Sequence, residues 1–474
     1  MKSKFHYLMF TFSLIGSSLI YGGTSDDFTE AIKSHKLFLG LMGAYPQEPV
    51  STFGHVFLVA SPNESEVPFL SWLTVNYAAN LQEVDSVFKI YYEGIFGSIP
   101  AYYYYLPLYL KMREYAGEES REARFFPIKV TDVEYTRLEN RINEIAGVQY
   151  PYNFFTRNCA HGLYELLSST LDSMPAVEKK IMAPLDIVTI LADHDRLGEP
   201  YIMHSLKDRI AEYTDKEHAE LEYLEWLNSS KNAHRDEARE NRLSTLRYNL
   251  SQKTINKKPL IVRDKPWRSP HGYSRVDIGA EYKEEQYFTN LRYRLLLHDV
   301  SDHHHFYSSE LTLETLSASV SANLSEIHLR EISFFHLRYA PIYDMLFKPL
   351  SYDFYTGHRD GATQLNIGIG ISTGITNVVS FELLPTYSLR FADKTSNLLG
   401  FQAQINTRTD TDLRFGINHD HLFKISLQHF GNEKYVSLKT WLSYDLYKNL
   451  SLCIDHHIIL KEKNTTSLSI RKNF

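Results

Sequence analysis

The stretch YPYNFFTRNCAHGLYELLSSTL, residues 150–171, changes character at its middle. An aromatic, extended entry runs to Arg157. From Asn158 and Cys159 onward the apolar residues recur at helical spacing, so a helix is predicted to open there with Asn158 as its capping residue. Cys159 then lies in the first turn, where free backbone N–H groups and the positive end of the helix dipole stabilise an anion and lower a thiol pKa. A nucleophilic cysteine needs that setting. The same position also suits a small buried hydrophobe filling a gap between helix and sheet.

A cysteine nucleophile needs an imidazole in hydrogen-bond reach. His55, in STFGHVFLV, opens the short apolar run His55–Ser61, which reads with Leu37–Met42 as two neighbouring core strands across the turn-rich Gly43–Gly54. His161 stands two residues past Cys159, about 200° around a helix, and His35 has no orienting context. His55 is therefore the expected base. Asn76, in VNYAAN, is either the group that orients His55 or a polar residue at a strand end, and Asn158 either caps the helix or lends its amide to the site. Phe88–Tyr109 reads as an irregular loop with some helix, whose Tyr102–Tyr105 run either lines an acyl groove or simply packs. Arg124–Val130 reads as a strand and Asp132–Ala146 as a helix capped by Asp132.

FGHVFL, VNYAAN, YYEGIFGSIPAYYYYLP and YPYNFFTRNCAHGLYELL together resemble the Lnb N-terminal periplasmic domain, over about Leu37 to Asp193. The order His then Cys also resembles permuted papain-like folds of the NlpC type. The resemblance implies a thiol acyl-transfer domain, and in the namesake group an enzyme that places an N-acyl chain on bacterial lipoproteins. His55 and Cys159 match the motif. Beside the nucleophile the family commonly carries a Thr-Arg pair, where this chain has His161 and Gly162.

The rest of the chain is read for compartment and architecture. Lys2 and Lys4 precede an apolar run from Tyr7 to Ile20, the pattern of a cleaved signal peptide over residues 1–23, and the run is shorter than the ~20 residues a helical span needs. Cys159 and Cys453 are the only cysteines, and nothing predicts that they pair. The net charge of -7, with no basic stripe, excludes the footprint of a nucleic-acid binder. No cofactor is called for, and His303–His305 and His456–His457 lack partners at metal-ligand spacing. An α+β papain-like domain is expected at 35–200, a charged helical hairpin at 205–250 and a Pro-bearing linker at 251–270.

From 271 to 474 the chain alternates apolar and polar residues in segments of about ten, giving an all-β domain of about twelve strands. Phe474, Lys472, Ile470, Leu468 and Thr466 form an apolar outward row with one interruption, while Arg471, Ser469 and Ser467 face inward. With 33 Tyr and 27 Phe to supply interfacial girdles, the expected closure is a transmembrane antiparallel β-barrel in the outer membrane, with the first domain in the periplasm. Two functions are open. One is a thiol enzyme acting by acyl transfer or hydrolysis on lipid, lipoprotein or peptidoglycan. The other is an outer-membrane channel or assembly protein whose periplasmic domain only binds.

Overall fold

The structure, a computed structural model, describes residues 25–257 apart from 33–35, 46–53, 62–68, 82–86, 173, 176–180, 230–235 and 252, and residues 272–473 apart from 284, 303–309, 360, 376–377, 393–394, 408–412, 426–429, 448 and 460–463. The signal segment, His35, His303–His305 and Phe474 lie outside the described residues. The chain divides into two compact units, Met1–Asp264 and Lys265–Phe474.

The first unit is built on an antiparallel sheet of seven strands: β1 Leu37–Met42, β2 His55–Ala60, β3 Leu73–Ala79, β4 Ile99–Pro107, β5 Ala123–Pro127, β6 Tyr150–Tyr152 and β7 Tyr201–Met203, in the order β6-β4-β3-β2-β1-β5-β7. Every residue of β1 is buried and all of β2 but His55, as expected of short apolar runs covered on both faces. On one face Phe38, Met42, Phe57 and Val59 pack with Leu108, Met112, Tyr115, Ala123 and Phe125. The helices of this unit are α1 Ser25–Ile32, α2 Val87–Phe96, α3 Leu108–Met112, α4 Asp132–Ile145, α5 Cys159–Ser168, α6 Pro184–Asp193, α7 Leu206–Glu212, α8 Lys216–Ser229 and α9 Glu237–Leu250. A π-helical turn, Arg113–Glu118, follows α3.

Two local readings change. The tyrosine run is not an irregular loop: Tyr102–Tyr105 lie in β4, where their burial alternates, because β3 supplies a full antiparallel partner from Ala79↔Ala101 to Leu73↔Pro107. Tyr103 donates to the Gly162 carbonyl at 2.8 Å and Tyr105 to that of Ile142 at 3.2 Å, so these rings pack α5 and α4 onto the sheet. The cap of α4 is Thr131 rather than Asp132, since only Thr131 can exchange hydrogen bonds with Glu134 three residues on. α8 and α9 pair through Arg242–Glu220 and Arg247–Glu225.

The second unit is a closed antiparallel barrel of twelve strands: β8 Arg275–Lys283, β9 Gln286–His298, β10 Leu311–Ala322, β11 Ile327–Tyr339, β12 Ser351–Arg359, β13 Ala362–Ile375, β14 Val379–Phe391, β15 Thr395–Thr407, β16 Leu413–Ile425, β17 Phe430–Tyr447, β18 Leu450–Ile459 and β19 Thr465–Asn473. The last strand closes on the first, from Thr465↔Lys283 to Asn473↔Arg275. Alternation sends Ile278, Leu291, Ile369, Phe381, Leu383, Leu468 and Ile470 to the exposed outer face. Inside, buried arginines meet carboxylates, as in Arg338–Glu382 at 2.6 Å, Arg275–Asp302 at 2.7 Å and Arg471–Asp455 at 2.9 Å. An apolar outside, a charged inside and a ladder without edges make a wall for lipid rather than for water. Among the described residues no helix is long and apolar enough to cross a membrane; the strands do so.

Candidate active site

α5 begins where it does because Asn158 caps it. Its Oδ1 accepts from the N–H of Ala160 at 3.0 Å and of His161 at 3.3 Å, while Nδ2 donates to the carbonyls of Phe154 at 3.1 Å and Met182 at 2.7 Å. Both amide hydrogens are engaged, so Asn158 is the cap and a clamp on the preceding loop. The His161 ring sits over that cap, with Nδ1 3.2 Å from Asn158 Oδ1. Gly162 lets the helix lie on the sheet, since a Cβ there would stand 2.3 Å from the Tyr77 ring.

The sheet is open at this end. β2 pairs with β3 only over Leu58–Ala60, after which the strands diverge, and the free N–H of Val56 turns to the sulfur of Cys159. Cys159 is thereby tied to the residue that follows His55. Tyr152, too, lies against Cys159 and meets its backbone N–H.

His55 is fixed from both sides. Residues 55, 57, 74 and 76 share one face through the β2–β3 register, and the Asn76 side chain raises the His55 pKa against burial. Its Nδ2 donates to Thr74 Oγ1 at 2.7 Å, and its buried Oδ1 has no hydrogen-bond partner among the described residues. Tyr115 packs on the other side with ring centroids 5.6 Å apart, and the same ring carries the Arg121 guanidinium at 4.9 Å and the Lys111 ammonium at 5.2 Å.

The expected lowering of the Cys159 pKa is corrected here. Burial pushes the thiol up to about 11, outweighing the N–H groups of Val56 and Ala160 and the charge of Arg121. Desolvation, with the charges of Lys111 and Arg121, holds His55 down at about 3 against the opposing effect of Asn76. At neutral pH both the Cys159 thiol and the His55 imidazole are therefore uncharged.

Residues 24–194 match the family model of the Lnb N-terminal periplasmic domain. This segment, from α1 to α6, is similar to the Lnb N-terminal periplasmic domain. Residues 267–471 match a domain of unknown function, DUF7840. No curated protein matches the chain. Among solved structures, the barrel is similar to the KdgM porin at 13% identity, over 42% of this chain and 99% of that one with a TM-score of 0.27, and to the NanC porin at 9% identity, 42% and 100% coverage and a TM-score of 0.31. The outer membrane protein Omp33 of Acinetobacter baumannii follows at 10% identity, 43% and 99% coverage and a TM-score of 0.25. The Lnb domain together with the closed, lipid-walled barrel makes this an outer-membrane protein whose N-terminal domain lies in the periplasm.

Sequence reasoning missed Tyr115, Arg121, Lys111, Thr74 and Tyr152. Tyr152 stands inside the quoted 150–171 stretch but carries no chemical signature there, and the others stand in no motif; only the register and the packing of the π-helical turn bring them to His55 and Cys159. Cys159 and Cys453 are both free thiols.

Proposed function

We propose that the Lnb domain of this chain is a thiol enzyme that forms an acyl-enzyme at Cys159 and passes the acyl group to an amine or to water, acting on a lipid, lipoprotein or peptidoglycan substrate of the cell envelope. The observation that carries this reading is the arrangement at the split in the sheet: a thiol at a capped helix start, bound to the strand residue next to a histidine that shares its sheet face with an asparagine.

The step balances without a cofactor. His55 takes the Cys159 proton as the sulfur attacks the carbonyl carbon; an S–C bond forms, the bond to the leaving oxygen or nitrogen breaks, and the leaving group departs with the proton from His55. The acceptor then gives its proton to His55 and attacks the thioester carbon; the new C–N or C–O bond forms, the C–S bond breaks, and the departing Cys159 sulfur takes the proton back from His55. The Cys159 backbone N–H, which meets Tyr152 in the resting site, turns to the oxyanion when substrate displaces that contact.

Mass analysis of the Cys159 peptide tests this. The full-length protein, in vesicles of phosphatidylethanolamine and phosphatidylglycerol, is expected to gain a fatty-acyl mass that neutral hydroxylamine removes and that Cys159→Ala lacks. An adduct formed instead with muropeptides moves the reaction to the cell wall. No adduct with vesicles, lipoprotein or muropeptides sinks the enzymatic reading and leaves the barrel with a periplasmic domain that only binds.

A further inference from the structure

Arg121 is a buried charge next to the site that the acyl-transfer step does not use. Its side chain is 1% exposed, its Nε lies 2.6 Å from Glu119, and its plane is held between the rings of Tyr45 at 4.8 Å and Tyr115 at 4.9 Å. Among the described residues neither terminal nitrogen, Nη1 or Nη2, has a hydrogen-bond partner. Buried guanidinium nitrogens are rarely left so, because each unpaired donor forfeits its hydration. The fork that remains free is the edge that matches two oxygens of one anion. Lys111 adds a second cation on the same Tyr115 ring, itself paired with Glu114 at 3.2 Å. That ring also packs on His55, so the free fork stands one aromatic side chain from the base.

We propose that Arg121, backed by Lys111, is the anion-recognition subsite of the site described above, and that it receives the phosphodiester of a glycerophospholipid whose ester carbonyl is presented to Cys159. The proposal rests on the acyl-transfer reading and names its substrate class. The choice of phosphodiester follows from the barrel, which ties the chain to a phospholipid membrane, and from scale. In a glycerophospholipid a few bonds separate the acyl carbonyl from the phosphate, and the Tyr115 ring spans a comparable gap between His55 and Arg121. The aromatic walls of Tyr45 and Tyr115 exclude water from the charge, which strengthens its attraction for a phosphate oxygen.

The test uses binding, so that it does not depend on turnover. The full-length Cys159→Ala protein in micelles is titrated calorimetrically with dihexanoyl phosphatidylglycerol and with uncharged dihexanoylglycerol. The ratio of the two affinities is expected to fall at least tenfold in Cys159→Ala/Arg121→Met and to recover in part in Cys159→Ala/Arg121→Lys, which keeps the charge and loses the fork. Equal weakening toward both ligands, with the ratio unmoved, would make Arg121 a packing residue and overturn the proposal. Displacement of the lipid by an N-acyl dipeptide carboxylate more readily than by glycerol phosphate would overturn the choice of phosphodiester. If phosphatidylglycerol binds with the expected ratio but the wild-type protein forms no acyl-enzyme, the subsite stands and the acyl-transfer reading fails.

Discussion

At the scale of single residues, Cys159 shows two terms of opposite sign competing. A helix start offers N–H groups and a dipole that favour thiolate; enclosure by Val56, Tyr115 and Tyr152 removes the water that thiolate needs, and burial wins. Alkylation reports the outcome. Iodoacetamide labelling of Cys159 in the substrate-free protein is expected to be about a hundredfold slower at pH 7 than that of an unperturbed thiol, and to rise roughly tenfold per pH unit until the thiol titrates at about 11. A plateau already reached near pH 7 would show a resting thiolate and contradict the neutral pair. Activation then belongs to the bound state, where His55 must accept a proton that desolvation and two nearby cations now deny it. His55 and Cys159 were legible because the residue types and a helix start name the chemistry. Arg121 was not: it stands in GEESREAR, a charge run that reads as a solvated face, and only the turn after α3 folds it inward.

Among elements, α5 is positioned by what is missing from it. Gly162 faces Tyr77, whose hydroxyl is anchored on the Pro151 carbonyl at 2.7 Å, so the ring has no freedom to retreat. Gly162→Ala is expected to cost about 1–3 kcal/mol by forcing the helix off the sheet, read as a lower denaturant midpoint of the first unit in the full-length protein. Since Cys159 lies one turn away, the same variant should lose acyl-enzyme formation by more than its stability explains; unchanged stability would mean that α5 has slack the packing does not show. The residues that fix this geometry were the hardest to read in advance. Four consecutive tyrosines flanked by prolines look irregular, because a strand whose two faces are both aromatic lacks the alternation of polarity that marks strands. In the barrel, β10 is rich in Ser and Thr and β12 in Tyr and Asp, so neither stood out as an element, and Pro385 hid the first half of β14 although the strand runs through it from Val379 to Phe391.

For the whole molecule, the deciding distinction is between a barrel whose outer wall meets water and one whose outer wall meets lipid. A strand number of about twelve was legible from the repeat of about ten residues, whereas the closure in a membrane and the inward placement of Arg471 came from the step-two count along the last strand, where Arg471 is buried while Leu468 and Ile470 are exposed. The interior supplies an independent reason for the same conclusion: Arg275, Arg338 and Arg471 sit among carboxylates on the inside, an inverted distribution that would leave a water-soluble barrel with its apolar residues on the wrong face. Placing a charge on each face separates the two cases. Ile470→Arg is expected to destabilise the barrel folded in phospholipid vesicles by about 2–4 kcal/mol, because the guanidinium must enter the hydrocarbon or drag headgroups and water toward it. Leu468→Arg, two residues along the same outward row, should behave alike, and both are read as a shift of the urea midpoint for loss of the heat-modifiable band. A barrel facing water would gain solubility from either change and lose nothing, since a long polar side chain on an exposed strand face is ordinary there.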